Sequence, residues 1–144
     1  MGLEIGLSHP DAWDLDPLTL VSFDDDDAYY WFLEPLFQKL SEKTDQYIGM
    51  YGAAWFEEAV VTSLRDVVAE AKRLVASQPD AWDVRIGRSA GTPSEPVDPP
   101  VPIYRTVRKA EFNDLLDRFE RLVAESLRTG IPIAAEADEP PRPR

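Results

Sequence analysis

Two long stretches of this chain place apolar residues at helical spacing, and a proline-rich stretch separates them. From about Trp55 to Ala76, Phe56, Val60, Leu64, Val67, Ala71, Leu74 and Val75 recur every three or four positions, while Glu57, Thr62, Arg65, Asp66, Glu70 and Arg73 fall on the opposite side. Such a pattern predicts a helix with one face in a core. Glu57 and Glu58 at its start and Lys72 and Arg73 at its end suit the helix dipole, and Pro79 forbids continuation. From Lys109 to Arg128, Phe112, Leu115, Leu116, Phe119, Leu122, Val123 and Leu127 form a second stripe, with Gly130 just beyond as a C-cap.

A third helix is predicted over residues 26–43. It starts in the run Asp24-Asp25-Asp26-Asp27, where a side-chain oxygen can cap free N–H groups and the carboxylates meet the positive dipole end. Tyr29, Phe32, Leu33, Leu36, Phe37 and Leu40 form its apolar stripe. Pro35 removes a hydrogen bond and crowds the carbonyl of Trp31, so a kink or a break into two helices is expected.

Short runs between the helices read as strands: Leu18–Phe23, Tyr47–Tyr51, Trp82–Ile86, Ile103–Val107 and Ile131–Ala134. Residues 92–102 contain Pro93, Pro96, Pro99, Pro100 and Pro102, which rules out a helix or a central strand and predicts a loop. The expected fold is α+β, a small sheet of four to five strands with three main helices packed largely on one face. Residues 1–138 form one domain and 139–144, with three prolines, a disordered tail. A chain of 144 residues buries about 70% of its unfolded surface, enough for a single core.

Charge excludes more than it selects. The chain holds 15 Lys and Arg against 27 Asp and Glu, a net charge of −12, which sets it against nucleic acid. The asymmetry is N-terminal: residues 1–38 carry Glu4, Asp11, Asp14, Asp16, Asp24 to Asp27 and Glu34, and the first basic residue is Lys39. Cysteine is absent, which removes disulfides, thiolate catalysis and thiolate metal sites. The opening Met1-Gly2-Leu3-Glu4 lacks a basic signal region and no apolar run has the length of a membrane helix, so a cytoplasmic location is expected.

Motifs with chemistry are few. Gly87-Arg88-Ser89-Ala90-Gly91 fits G-x-S-x-G, but it leads into prolines instead of a helix, and His9, the only histidine, lies upstream beside Pro10. Four consecutive aspartates at a helix entry point in different directions, so capping and a solvated acidic surface explain Asp24–Asp27 better than a cation site. No glycine-rich phosphate cradle exists, and no cofactor is expected. The segment Ser8 to Leu15 repeats at Ser77 to Val84, which reads as a reused turn in which Pro and Asp set the bend and Trp13 or Trp82 anchors it. Tyr29 to Leu33 are five neighbouring aromatic or apolar residues that one helix face cannot hide, so part of that surface must be apolar or covered.

These features predict a non-catalytic protein, monomer or homodimer, that docks on a basic protein partner away from nucleic acid and membranes. The expected contact residues are Asp14, Asp16, Asp24, Asp25, Asp26, Asp27, Tyr30, Trp31 and Glu34. A concrete version is an inhibitor or immunity-type protein neutralising a cationic toxin or nuclease. The alternative is a carboxylate-dependent enzyme, metal-assisted or not, with acids of raised pKa in a cleft.

Overall fold

The computed structural model describes residues 2–8, 20–24 and 27–137, and within them every side chain except those at positions 58, 88–90 and 97. His9, Asp14, Asp16, Asp25, Asp26, the first copy of the short repeat and the 139–144 tail lie outside the described residues. The chain runs β1 (Gly2–Leu7), β2 (Val21–Asp24), α1 (Ala28–Thr44), β3 (Ala53–Phe56), α2 (Glu58–Ala76), β4 (Ala81–Gly91), β5 (Pro96–Arg108), α3 (Lys109–Thr129) and β6 (Ile133–Ala137). This is an α+β fold. Among the described residues no helix is long and apolar enough to cross a membrane.

The main sheet is antiparallel with strand order β2-β1-β6-β3, so the two strands nearest the chain ends pair at its centre. Alternation decides its faces. Leu3, Ile5, Leu7, Val21, Phe23, Ala54, Phe56, Ile133 and Ala135 are buried on one side, where they meet Val61, Leu64 and Val68 of α2 and Phe112, Leu116, Phe119 and Val123 of α3. Glu4, Ser22, Asp24, Ala53, Trp55 and Glu136 fall on the other side. A Cβ at Gly2 would stand 2.8 Å from the Phe23 carbonyl oxygen, so glycine is required where β1 and β2 meet. Lys72 of α2 bridges Asp117 (2.8 Å) and Glu120 (3.1 Å) of α3. The Lys109 ammonium donates to the Ala76 and Gln78 carbonyls, both at 3.0 Å, closing the end of α2.

Several local expectations needed correction. β1 and β3 were not anticipated, and residues 47–51 form a loop that buries Ile48 and Met50 without strand pairing. Helix α2 starts at Glu58, because Trp55 and Phe56, which fit helical spacing, are paired in β3 with Ala134 and Ile133 of β6. Helix α1 continues through Pro35 without a break, the proline being exposed on its solvent side. The loop expected over 92–102 shrinks to a tight turn in which Thr92 and Glu95 exchange backbone hydrogen bonds of 3.1 Å. Pro93 sits in that turn, and the other four prolines belong to β5, because among the described residues β4 and β5 pair only with each other, as a separate two-stranded ribbon. Every strand of such a ribbon is an edge, so a missing N–H can face solvent. Gly91 pairs with Pro96 and Ser89 with Val101, which leaves residues 97–100 as a bulge holding Pro99 and Pro100.

The ribbon also resolves the aromatic crowding on α1. Tyr30, Leu33 and Phe37 turn to the sheet side, with Tyr30 edge-on to Phe23 at 5.7 Å. Tyr29 and Phe32 turn the other way, Phe32 meeting Trp82 of β4 at 5.4 Å and Phe112 of α3 at 5.2 Å, while Trp82 and Phe112 stack at 6.0 Å. Helix α1 is thus sandwiched. Covering both flanks buries residues that a one-sided helix would have to expose.

Candidate functional site

The expected contact residues separate into structural and exposed groups. Asp27 is the N-cap of α1: its Oδ1 accepts from the Tyr29 N–H at 2.9 Å and its Oδ2 from the Asp24 N–H at 3.1 Å. Burial pushes its carboxyl above the ordinary aspartate value, although the backbone N–H groups pull the other way. Both oxygens are thereby committed to the backbone. Tyr30 is 1% exposed, and its hydroxyl donates to the Ile48 carbonyl at 2.9 Å while accepting from the Met50 backbone. Burial raises its pKa strongly. Its ring offers no outward surface; it ties α1 to the 47–50 loop. Trp31 is half-buried against Tyr30, and among the described residues its Nε1 has no hydrogen-bond partner.

Asp24 and Glu34 are the contact residues that reach the surface. Glu34 accepts at Oε1 from the Tyr47 hydroxyl at 3.0 Å and from the Gln38 amide at 2.5 Å. Tyr30 and Tyr47 hydroxyls lie 3.3 Å apart. With the Tyr30 proton on Ile48 and the Tyr47 proton on Glu34, neither hydrogen is left for that longer contact. Burial and Glu34 raise the pKa of Tyr47. A Cβ at Gly49 would lie 2.6 Å from the Tyr47 ring, so glycine there lets the ring rest on the loop.

Two acids absent from the expected set complete the face. Glu4 of β1 stands directly opposite Glu136 of β6 on the outer side of the sheet, and Asp24 of β2 sits diagonally across from Glu4. Glu136 stands in turn opposite Ala53 of β3, whose neighbour Trp55 is 43% exposed on the same side. Gln46 Oε1 accepts from the Trp55 N–H at 2.8 Å, which joins this face to the 46–52 loop. An open groove of about 520 Å³ lined by Trp31, Gln46, Tyr47, Tyr51 and Gly52 runs into a second of about 340 Å³ lined by Gln46, Ala53, Trp55, Ala134 and Glu136. Gln46 and Ala53 line both, and Tyr51 in the first is 72% exposed.

All ion pairs among the described residues lie within or between α2 and α3: Lys72 with Asp117 and Glu120, Arg73 with Glu70, and Arg128 with Glu125. Among the described residues, Glu4, Asp24, Glu34 and Glu136 therefore have no ion-pair partner. Sequence reading missed Glu136 because it sits more than a hundred residues from Glu4; the alternation of Leu3, Glu4 and Ile5 was the available signal for the other half. Among the described residues no cluster of three or more acids or histidines has the arrangement of a metal site. No family model matches the chain, and neither the curated proteins nor the solved structures contain a significant match to it.

Proposed function

We propose that this protein is a non-catalytic binding module whose outer sheet face docks on a basic protein. The observation that supports this reading is the row of Asp24, Glu4 and Glu136 across three adjacent strands, none of them in an ion pair among the described residues, with exposed Trp55 on the same face. Carboxylates attract lysine and arginine over long range and speed encounter, and aromatic faces hold the same cations at contact. Glu4 and Glu136 repel each other in the free protein. A guanidinium placed between them relieves that repulsion, so binding gains from it. An inhibitor or immunity-type role against a cationic toxin or nuclease is the concrete form of this reading, since an anionic surface can occupy a site that otherwise receives phosphate.

For the carboxylate-enzyme alternative, the groove among the described residues with the most acids is one of about 390 Å³ containing Asp27, Glu111 and Asp114. Asp27, whose pKa burial raises, spends both oxygens on backbone N–H groups. The binding reading is favoured on that ground. The test is a pull-down with wild-type protein and with the triple variant Glu4→Gln, Asp24→Asn, Glu136→Gln. A basic partner captured by the wild type, released by added salt and lost in the variant is the expected result. Equal capture by both proteins overturns the assignment.

A further inference from the structure

The loop between α1 and β3 exposes aromatic rings that the core does not use. Tyr47 is 42% and Tyr51 72% exposed, and both line the groove of about 520 Å³ together with Trp31 and Asp45. Tyr47 is held at both ends: its hydroxyl donates to Glu34 Oε1 at 3.0 Å, and its ring rests against Gly49, where a Cβ would stand 2.6 Å away. The ring is therefore in position before any ligand arrives. Giving its proton to a carboxylate also leaves the phenol ring richer in electrons, and so more attractive to a cation.

This chain brings no cation of its own to the groove. Residues 44–64 contain neither Lys nor Arg, and among the described residues none lines this groove or the adjoining one that Trp55 and Glu136 line. Lys39 and Lys43, the last two cations before it in sequence, line a different groove with Asp66 and Glu70 of α2. Asp45 has no ion-pair partner among the described residues. An anionic ligand would meet Asp45 and Glu34 with nothing to offset them.

We infer that this groove is an arginine-binding site, in which a guanidinium of the basic partner lies against the Tyr47 and Tyr51 rings and pairs with the Asp45 carboxylate. Arginine suits it better than lysine: its planar cation stacks on aromatic faces, holds its water more weakly and forks onto a carboxylate. The inference rests on the docking proposal for the source of the arginine, but it places the contact on the 45–51 loop, apart from the row of Asp24, Glu4 and Glu136.

An NMR titration of the full chain with an end-blocked Gly-Gly-Arg-Gly-Gly peptide tests it. Saturable shifts in the amides of residues 30–31 and 45–53 are expected, with weaker binding when lysine replaces arginine and none with citrulline, the neutral isostere. Tyr51→Ala, at an exposed position, weakens binding about fivefold. Asp45→Asn keeps a residue that tolerates the left-handed backbone found there, φ 62°, and removes the charge, so binding weakens and loses salt dependence. The variant Glu4→Gln, Asp24→Asn, Glu136→Gln leaves these residues intact and retains peptide binding. No binding, equal binding of the citrulline peptide, shifts elsewhere, or Tyr51→Ala and Asp45→Asn proteins that bind like wild type overturn the inference. A partner captured through the sheet face while the peptide fails removes this site alone, and peptide binding without such capture removes the docking proposal alone.

Discussion

Asp27 performs three local tasks with one carboxylate: it caps α1, holds the Asp24 amide and ends the negative run before the helix begins. Replacing it with alanine leaves two N–H groups without that acceptor and should cost about 1 kcal/mol in denaturant unfolding. Asparagine retains the cap but removes the titration. Because burial raises the folded pKa above 3.8, the protonated form is favoured by folding. Stability from this group is therefore fully present below the ordinary aspartate value and is lost as pH rises through the raised one. Wild type should gain on Asp27→Asn as pH is lowered from neutrality, and a pH-independent difference would contradict the assignment. Tyr30→Phe tests the neighbouring link: it keeps the ring and strands the buried Ile48 carbonyl, for a loss of about 1–3 kcal/mol measured by chemical denaturation.

Helix α1 keeps a proline at its centre where the amide would otherwise bond the Trp31 carbonyl. Packing on both flanks, against Phe23 on one side and Trp82 and Phe112 on the other, holds the helix together despite this. Since Pro35 is exposed, Pro35→Ala should raise stability by up to ~3 kcal/mol, seen as a higher denaturation midpoint with an unchanged slope. The central strands carry the opposite kind of cost. Glu4 and Glu136 are cross-strand partners of like charge, so Glu136→Gln should stabilise the free protein by a few tenths of a kcal/mol up to about 1. The same substitution should weaken capture of a basic partner, and a substitution that raises stability while lowering binding is the signature of a surface kept for function.

Charge over the entire surface acts on stability as a single quantity. With a net −12 and four ion-pair contacts among the described residues, all of them partly exposed, repulsion outweighs attraction at neutral pH. Raising ionic strength from about 0.01 to about 0.15 M shortens the screening length from ~30 to ~8 Å. The thermal midpoint should therefore rise with salt. A fall would mean that local pairs, and not the long-range field, dominate the electrostatics. Binding to a basic partner should move the other way, weakening over the same range, so the two responses can be read in one titration series.

Helices α2 and α3 were legible from residue order because a stripe such as Phe112, Leu116, Phe119 and Val123 repeats with the helix period whatever it packs against, and Gly130 marks its end with φ 76°. The acidic bias of the first quarter was equally plain. Strands β1 and β3 escaped notice since short segments draw their identity from partners far along the chain: Ala53–Phe56 is a strand because β6 lies beside it, and its Trp55 and Phe56 suit a helix just as well. Distance in sequence likewise hid the joining of Glu4 to Glu136, the burial of Tyr30 and the extension of β5 through four prolines. Each depends on which neighbour supplies hydrogen bonds or removes water, and that is settled when remote segments meet.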